Sequence, residues 1–343
     1  MSPVLSEKQL VFLVGSPRSG TTLLSRMLSA HSDVYSPAEP HLMPPLAHLG
    51  YWETVERAPY DPIITQRGLR EFVASLPNGE NDLIAGLRAC TDHLYTRSLS
   101  TSGAQLFLDQ TPADALVLDF VTRLYPKARY VVLTRNPLAI WSSYVDSFFD
   151  GDFESAYRNN PLVERYVPAV ARFLTETSAP HVHVRYEDVV REPASELRRI
   201  CDCLGIEFEP GMVDYGEQAG GQRQDARGLG DPMTVAKEKR PTTASIGKWA
   251  RALQGAPARI AQSQEILERL TDGDLAAWGY DRNELAAELA AIDPAGSPPP
   301  APRLTRYALE RRAMVAGRRL IRSSSFLQRI LRGIRSACDV LLR

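Results

Sequence analysis

The chain has 343 residues, 44% of them apolar and 24% charged, with 40 basic side chains against 41 acidic ones. Those proportions exclude a fibrous repeat and a disordered polymer, and no apolar run approaches the roughly 18 residues of a spanning helix. Cys90, Cys201, Cys203 and Cys338 are too few and too scattered for a disulfide framework or a zinc site. With a short, polar start at residues 1–9, they make a reducing cytoplasm the expected setting.

In chain order, Leu10 to Val14 is an apolar run ending at a glycine and predicts a buried strand. Thr22 to Ala30 has helical spacing. Residues 41–104 form an insertion with a helical pattern from about Pro59 to Arg97. Gln105 to Leu108 predicts a second strand, and Pro112 to Leu124 a helix with proline near its start, where the missing N–H costs little. Arg129 to Thr134 predicts a strong strand, followed by a helix over Pro137 to Phe149. His181 to Arg185 predicts a strand, and Asp188 to Leu204 a helix stopped by Gly205. Strands alternating with helices predict an α/β fold with a parallel sheet flanked by helices. Gly216 to Thr243, rich in Gly, Pro and charge, reads as a long loop of the kind that often serves as a lid.

Charge is unevenly distributed. Residues 303–343 hold eleven Arg and two acids, a net of +9, whereas the first 302 residues hold 29 basic and 39 acidic side chains, a net of −10. Asp293 to Pro302 is a Pro-rich linker that cannot continue a helix, and residues 293–302 therefore separate a body, 1–292, from a tail, 303–343. In the tail, Leu327, Ile330, Leu331, Ile334, Ala337, Cys338 and Leu341 recur at helical spacing. Arg322, Arg329, Arg332 and Arg335 fall largely elsewhere on the wheel. A basic amphipathic helix suits an anionic membrane surface; docking on the acidic body or on a second copy is the competing reading, and nucleic acid the weakest one.

The run Gly15-Ser-Pro-Arg-Ser-Gly-Thr-Thr22 joins the first strand to the first helix. A glycine loop opening a helix gathers backbone N–H groups and a positive helix end around an anion. The Gly-x4-Gly spacing is that of a nucleotide-triphosphate loop, but Thr21 stands where that loop carries its Lys, and the forked donors of Arg18 are the cation available. Gly15 to Leu24 resembles the 5′-phosphosulfate loop of sulfotransferases that use 3′-phosphoadenosine 5′-phosphosulfate (PAPS), most closely the bacterial, tyrosylprotein and heparan-sulfate branches. The resemblance implies a P-loop-containing sulfotransferase-like sheet and a grip on the donor by Arg18, Ser19, Gly20, Thr21 and Thr22. Arg135, with Ser143 eight residues on, resembles the family's 3′-phosphate motif, and Ser245-Ile-Gly-Lys248-Trp249 its late nucleotide segment, so Arg135, Ser143 and Lys248 join the expected donor contacts. Arg240 is a looser candidate.

Sulfuryl transfer to a hydroxyl needs an in-line acceptor, a base for its proton and cations for the developing charge. Glu39, 21 residues after Arg18, has the position of the tyrosylprotein branch's glutamate base, and Glu39-Pro-His41 is similar to a Glu-x-His pair of the heparan-sulfate branch. The implied catalytic set is Glu39, Arg18 and His41, with no metal. One departure stands out: Asp109-Gln110-Thr111-Pro112 has Gln110 where relatives carry Lys. The expected reaction turns an acceptor hydroxyl and PAPS into a sulfate ester and adenosine 3′,5′-bisphosphate (PAP). A membrane-bound tail would make a lipid-linked or glycolipid hydroxyl the natural acceptor. A variant P-loop small-molecule kinase and a catalytically impaired nucleotide-binding protein remain alternatives.

Overall fold

Five apolar or β-branched segments become strands: β1 (Leu10–Gly15), β2 (Val34–Tyr35), β3 (Leu106–Asp109), β4 (Arg129–Thr134) and β5 (His181–Arg185). The structure is a computed structural model that describes residues 5–55, 58–149, 151–216 and 239–296, with Phe326, Arg329 and Ile330. All strand pairings are parallel, in the order β2-β3-β1-β4-β5. β1 is buried at every residue, as a central parallel strand covered on both faces requires.

Helices supply that cover: α1 (Thr21–Ser29), α2 (Met43–Ala47), α3 (Pro62–Ala74), α4 (Glu80–Leu99), α5 (Leu118–Leu124), α6 (Pro137–Phe148), α7 (Phe153–Asn159) and α8 (Leu162–Glu176), then α9 (Tyr186–Arg191), α10 (Pro193–Leu204), α11 (Lys248–Leu253), α12 (Pro257–Arg269), α13 (Asp272–Trp278) and α14 (Arg282–Ala290). The two-residue period of the strands divides the core into two layers. Phe12, Val14, Tyr130 and Val132 face a layer built with α5, α6, α8 and α13. Val11, Leu13, Val131 and Leu133 face the other, built with α1, α9 and α10. Each fully buried aliphatic side chain of this kind is worth about 1.5–3 kcal/mol relative to exposure.

Three expectations change. The helix expected from Asp188 to Leu204 is two, α9 and α10, because Pro193 starts a new helix and drives Glu192 to φ −127°, ψ 56°. The helix expected from Pro112 to Leu124 is a 3-10 turn, Pro112–Leu116, followed by α5, with Val117 non-helical between them. β2 is a strand the sequence reading lacked, since two residues are too few to show a period. Helices α2, α3 and α4 occupy the insertion, and the long loop's residues 217–238 lie outside the described residues, as does the tail apart from Phe326, Arg329 and Ile330. Among the described residues no helix is long and apolar enough to cross a membrane.

The topology decides where a site can form. β1 has β3 on one side and β4 on the other: the chain leaves β1 toward β2 and β3, then crosses to β4 and β5, and the crevice of an open parallel sheet opens beyond the strand carboxyl ends at such a switch point.

Candidate active site

Beyond β1 the chain turns sharply into α1. Ser19 is fully buried and folds back on the turn, donating from both its amide (3.1 Å) and its hydroxyl (2.7 Å) to the Ser16 carbonyl. Arg18 has φ +71°, a strained value for a side chain with a Cβ and one concentrated at functional sites. Gly20 has φ +104° and caps α1; a Cβ there would lie 2.5 Å from the Tyr186 ring, so the position admits glycine alone. α1 begins with Thr21 and the half-buried Thr22 and has no acidic residue in its first turn, which leaves its positive end unneutralised.

Beyond β4, Arg135 and Asn136 make the turn into α6. Asn136 caps that helix by accepting from the amides of Leu138 (2.9 Å) and Ala139 (3.2 Å). The Arg135 guanidinium donates through Nη1 to the Arg18 carbonyl at 2.9 Å and lies over the Tyr186 ring at 4.2 Å. Its Nε is buried and has no hydrogen-bond partner among the described residues. Burial pushes the Arg135 pKa down, opposed by the neighbouring Tyr186 and Glu187. Ser143, on α6, accepts from Arg18 Nε at 3.2 Å. Arg18, Arg135 and Ser143 are therefore one contiguous group. Lys248 stands apart: it is exposed at the start of α11 and makes no hydrogen bond or ion pair to the loop, although α11 packs on α6. Arg240 is paired with Asp214 at 2.6 Å.

Glu39 follows β2 on a segment tied to α1 through Ser25 and Ser36, whose hydroxyls are 3.0 Å apart. One of its carboxylate oxygens lies 3.1 Å from His41 Nε2. The other accepts from Gln110 Nε2 at 3.4 Å, and the same amide reaches the Thr21 hydroxyl at 3.3 Å. Gln110, just beyond β3, thus joins Glu39 to the head of α1 without adding a charge. His41 has φ +52°, and its backbone N–H donates to the Thr111 hydroxyl at 3.3 Å.

Beneath this pair lies a support absent from the sequence reading. The Thr111 hydroxyl donates to Asp109 at 2.8 Å, and Tyr95, from α4 in the insertion, donates to the other Asp109 oxygen at 2.6 Å. Burial pushes the Asp109 pKa up to about 6, against the pull of those two hydroxyls. Asp114 is buried, with neither carboxyl oxygen hydrogen-bonded among the described residues; burial, and then Asp109 and Glu39, push its pKa well above the usual carboxylate range. The sequence offered only a weak signal for these two, an acidic residue ending an apolar strand and another one turn later. His31 is buried and structural, bonded through Nε2 to the Glu207 carbonyl at 2.7 Å and accepting through Nδ1 from the Asp33 amide at 2.9 Å.

Each strand's carboxyl end thus delivers part of one crevice: the glycine loop from β1, Glu39 and His41 after β2, Gln110 and Thr111 after β3, Arg135 after β4 and Tyr186 after β5. Convergent N–H donors, a buried guanidinium and a carboxylate–imidazole pair suit transfer of an anionic group from a nucleotide to a nucleophile that must lose a proton. Among the described residues no cluster of His, Cys, Asp and Glu is arranged to hold a metal.

Known proteins resemble this chain in sequence and fold. The nodulation protein NoeE of Sinorhizobium fredii is 28% identical over 309 residues, covering 82% of this chain and 68% of that protein. A putative protein-tyrosine sulfotransferase of Caenorhabditis briggsae is 24% identical over 221 residues, 63% of this chain and 72% of its own. The sulfotransferase domain of the Synechococcus PCC 7002 olefin synthase superposes with a TM-score of 0.51 at 25% identity, covering 76% of this chain and 93% of that domain. The sulfotransferase domain of the curacin biosynthetic pathway has the same fold, with a TM-score of 0.51 at 24% identity over 76% of this chain and 96% of its own. Residues 10–210, which carry the glycine loop, the Glu39 segment, Gln110, Arg135 and Tyr186, match the sulfotransferase family as a whole, and the chain belongs to that family.

Proposed function

We propose that the chain transfers the sulfuryl group of PAPS to an acceptor hydroxyl, with Glu39 as general base. The observation that carries this reading is the contiguous Arg18, Arg135 and Ser143 group beside the head of α1, with Arg135 Nε buried and without a hydrogen-bond partner among the described residues. A buried unpaired N–H is costly, and a phosphate oxygen is the acceptor that relieves it. In this reading the glycine-loop amides, Thr21, Thr22 and Arg18 hold the 5′-phosphosulfate, and Arg135 with Ser143 holds the 3′-phosphate. Lys248 enters the donor site only after a side-chain movement.

PAPS supplies an activated sulfuryl group. The acceptor oxygen forms the new S–O bond, the bond from sulfur to the bridging oxygen of the 5′-phosphate breaks, PAP leaves with that oxygen, and the acceptor proton passes to Glu39. His41 steadies the Glu39 carboxylate. Gln110 orients Glu39 and Thr21, while Arg18 supplies the positive charge that relatives draw in part from Lys at the Gln110 position. The insertion, 41–104, shapes the acceptor side. The tail, 303–343, suits an anionic membrane surface and favours a lipid-linked hydroxyl.

The test is Glu39→Gln. PAP binding should match the wild type, while transfer from PAPS to a panel of alcohol, phenol and glycolipid acceptors should fall by about 10²–10⁴, the usual contribution of a general base. A Glu39→Gln enzyme with undiminished turnover would remove Glu39 from the base role. PAP binding by a wild type that turns over none of the panel would favour a nucleotide-binding protein whose neutral Gln110 has cost it catalysis.

A further inference from the structure

Residues 272–290 lie beyond the stretch that matches the family, yet they reach back to the Arg135 turn. Trp278 closes α13 fully buried, and its Nε1–H donates to the Arg135 carbonyl at 2.8 Å. Gly279, with φ +93°, turns the chain over β5; a Cβ there would come within 3.2 Å of His183 and 3.3 Å of Arg185. Tyr280 then donates its hydroxyl to Glu187, whose second oxygen accepts the Asn136 amide at 3.2 Å. Glu288, on α14, accepts from the Asn136 side-chain amide at 3.3 Å. The Arg135 carbonyl and the backbone N–H and side chain of Asn136 are thus engaged by the C-terminal helices, by Glu187 or by the α6 cap.

We infer that Trp278, Tyr280 and Glu288 form a clamp that positions Arg135 for the donor's 3′-phosphate, an inference that rests on the donor reading proposed above. The physical argument is preorganisation. A guanidinium at the end of a flexible stem gains most from a phosphate when its backbone is already fixed. The Trp278 bond fixes the Arg135 carbonyl, Glu187 and Glu288 fix the next residue, and the Tyr186 ring fixes the guanidinium plane. Trp278, Tyr280 and Glu288 are positioning residues, since each acts on the ligand only through Arg135 and Asn136.

The experiment uses the full chain and two ligands, PAP and adenosine 5′-phosphate, which differ only in the 3′-phosphate. Trp278→Phe keeps an aromatic side chain, smaller by one ring, and removes the donor. It should weaken PAP by about tenfold, a typical loss for one buried hydrogen bond, and leave adenosine 5′-phosphate within about twofold. In an Arg135→Ala background the same substitution should change PAP affinity no further, because its effect passes through Arg135. Tyr280→Phe and Glu288→Ala, made nearer the surface, should show the same selective loss if Trp278→Phe fails to fold. Equal weakening of both ligands, or full additivity with Arg135→Ala, would overturn the clamp and leave Trp278 a core residue. A wild type that binds the two ligands equally would overturn the donor reading itself, and the clamp with it.

Discussion

Arg135 and Glu39 set the two ends of the proposed reaction, and each makes a residue-scale prediction. Arg135→Ala should weaken PAP by about 10–100-fold, the loss expected for charge-assisted hydrogen bonds, as read by calorimetry. Arg135→Lys should recover little, because an ammonium has neither the fork nor the flat face that lies on Tyr186. Asp109 carries a pH signature. Its pKa rises from 3.8 to about 6 on folding, so the fold favours the protonated acid. The native state therefore binds more protons than the unfolded chain between those values, and this contribution to stability is full below about pH 4 and lost as pH rises to about 6. Asp109→Asn removes it, so the stability of the variant relative to the wild type should improve from pH 4 to pH 6 in parallel urea titrations. A constant difference across that window would place the Asp109 titration elsewhere.

At the scale of elements, the strand-to-helix turns carry the function. Gly20→Ala would force a side chain into φ +104° and against Tyr186. The strain alone is about 1–3 kcal/mol, and at roughly 2–4 °C per kcal/mol the thermal midpoint should fall by several degrees, with PAP binding lost. These turns were the most legible part of the sequence. Gly15 to Thr22 and Arg135 to Ser143 have fixed spacings, because a loop that closes on an anion tolerates few lengths. Their flanking strands, β1 and β4, were legible as continuous apolar runs. Less legible was what reaches the site from far along the chain. Tyr95 supporting Asp109 and Trp278 holding Arg135 are separated from their partners by 14 and 143 residues. Neither pairing leaves a local period. The break at Pro193 was visible as a proline, but the apolar spacing continued through it and suggested one helix where there are two.

At the scale of the molecule, one feature remains outside the site's geometry: the charge division between body and tail. A net of +9 on residues 303–343 against −10 on the rest predicts binding to anionic lipid that weakens with salt. The full chain should sediment with phosphatidylserine vesicles at low ionic strength, and a chain ending at Pro302 should not, while both bind PAP alike. Retention of vesicle binding by the shorter chain would move the membrane contact to the body.

The most direct test of the donor site is the thermal midpoint of the full chain with PAP, with adenosine 5′-phosphate and with Mg·ATP. A ligand at 100 times its dissociation constant adds about 2.7 kcal/mol, enough to raise the midpoint by several degrees. The midpoint should rise with PAP, rise slightly with adenosine 5′-phosphate and show no change that depends on Mg·ATP. A rise with Mg·ATP alone, or equal rises with PAP and adenosine 5′-phosphate, would contradict a site built around Arg135 for a 3′-phosphorylated donor.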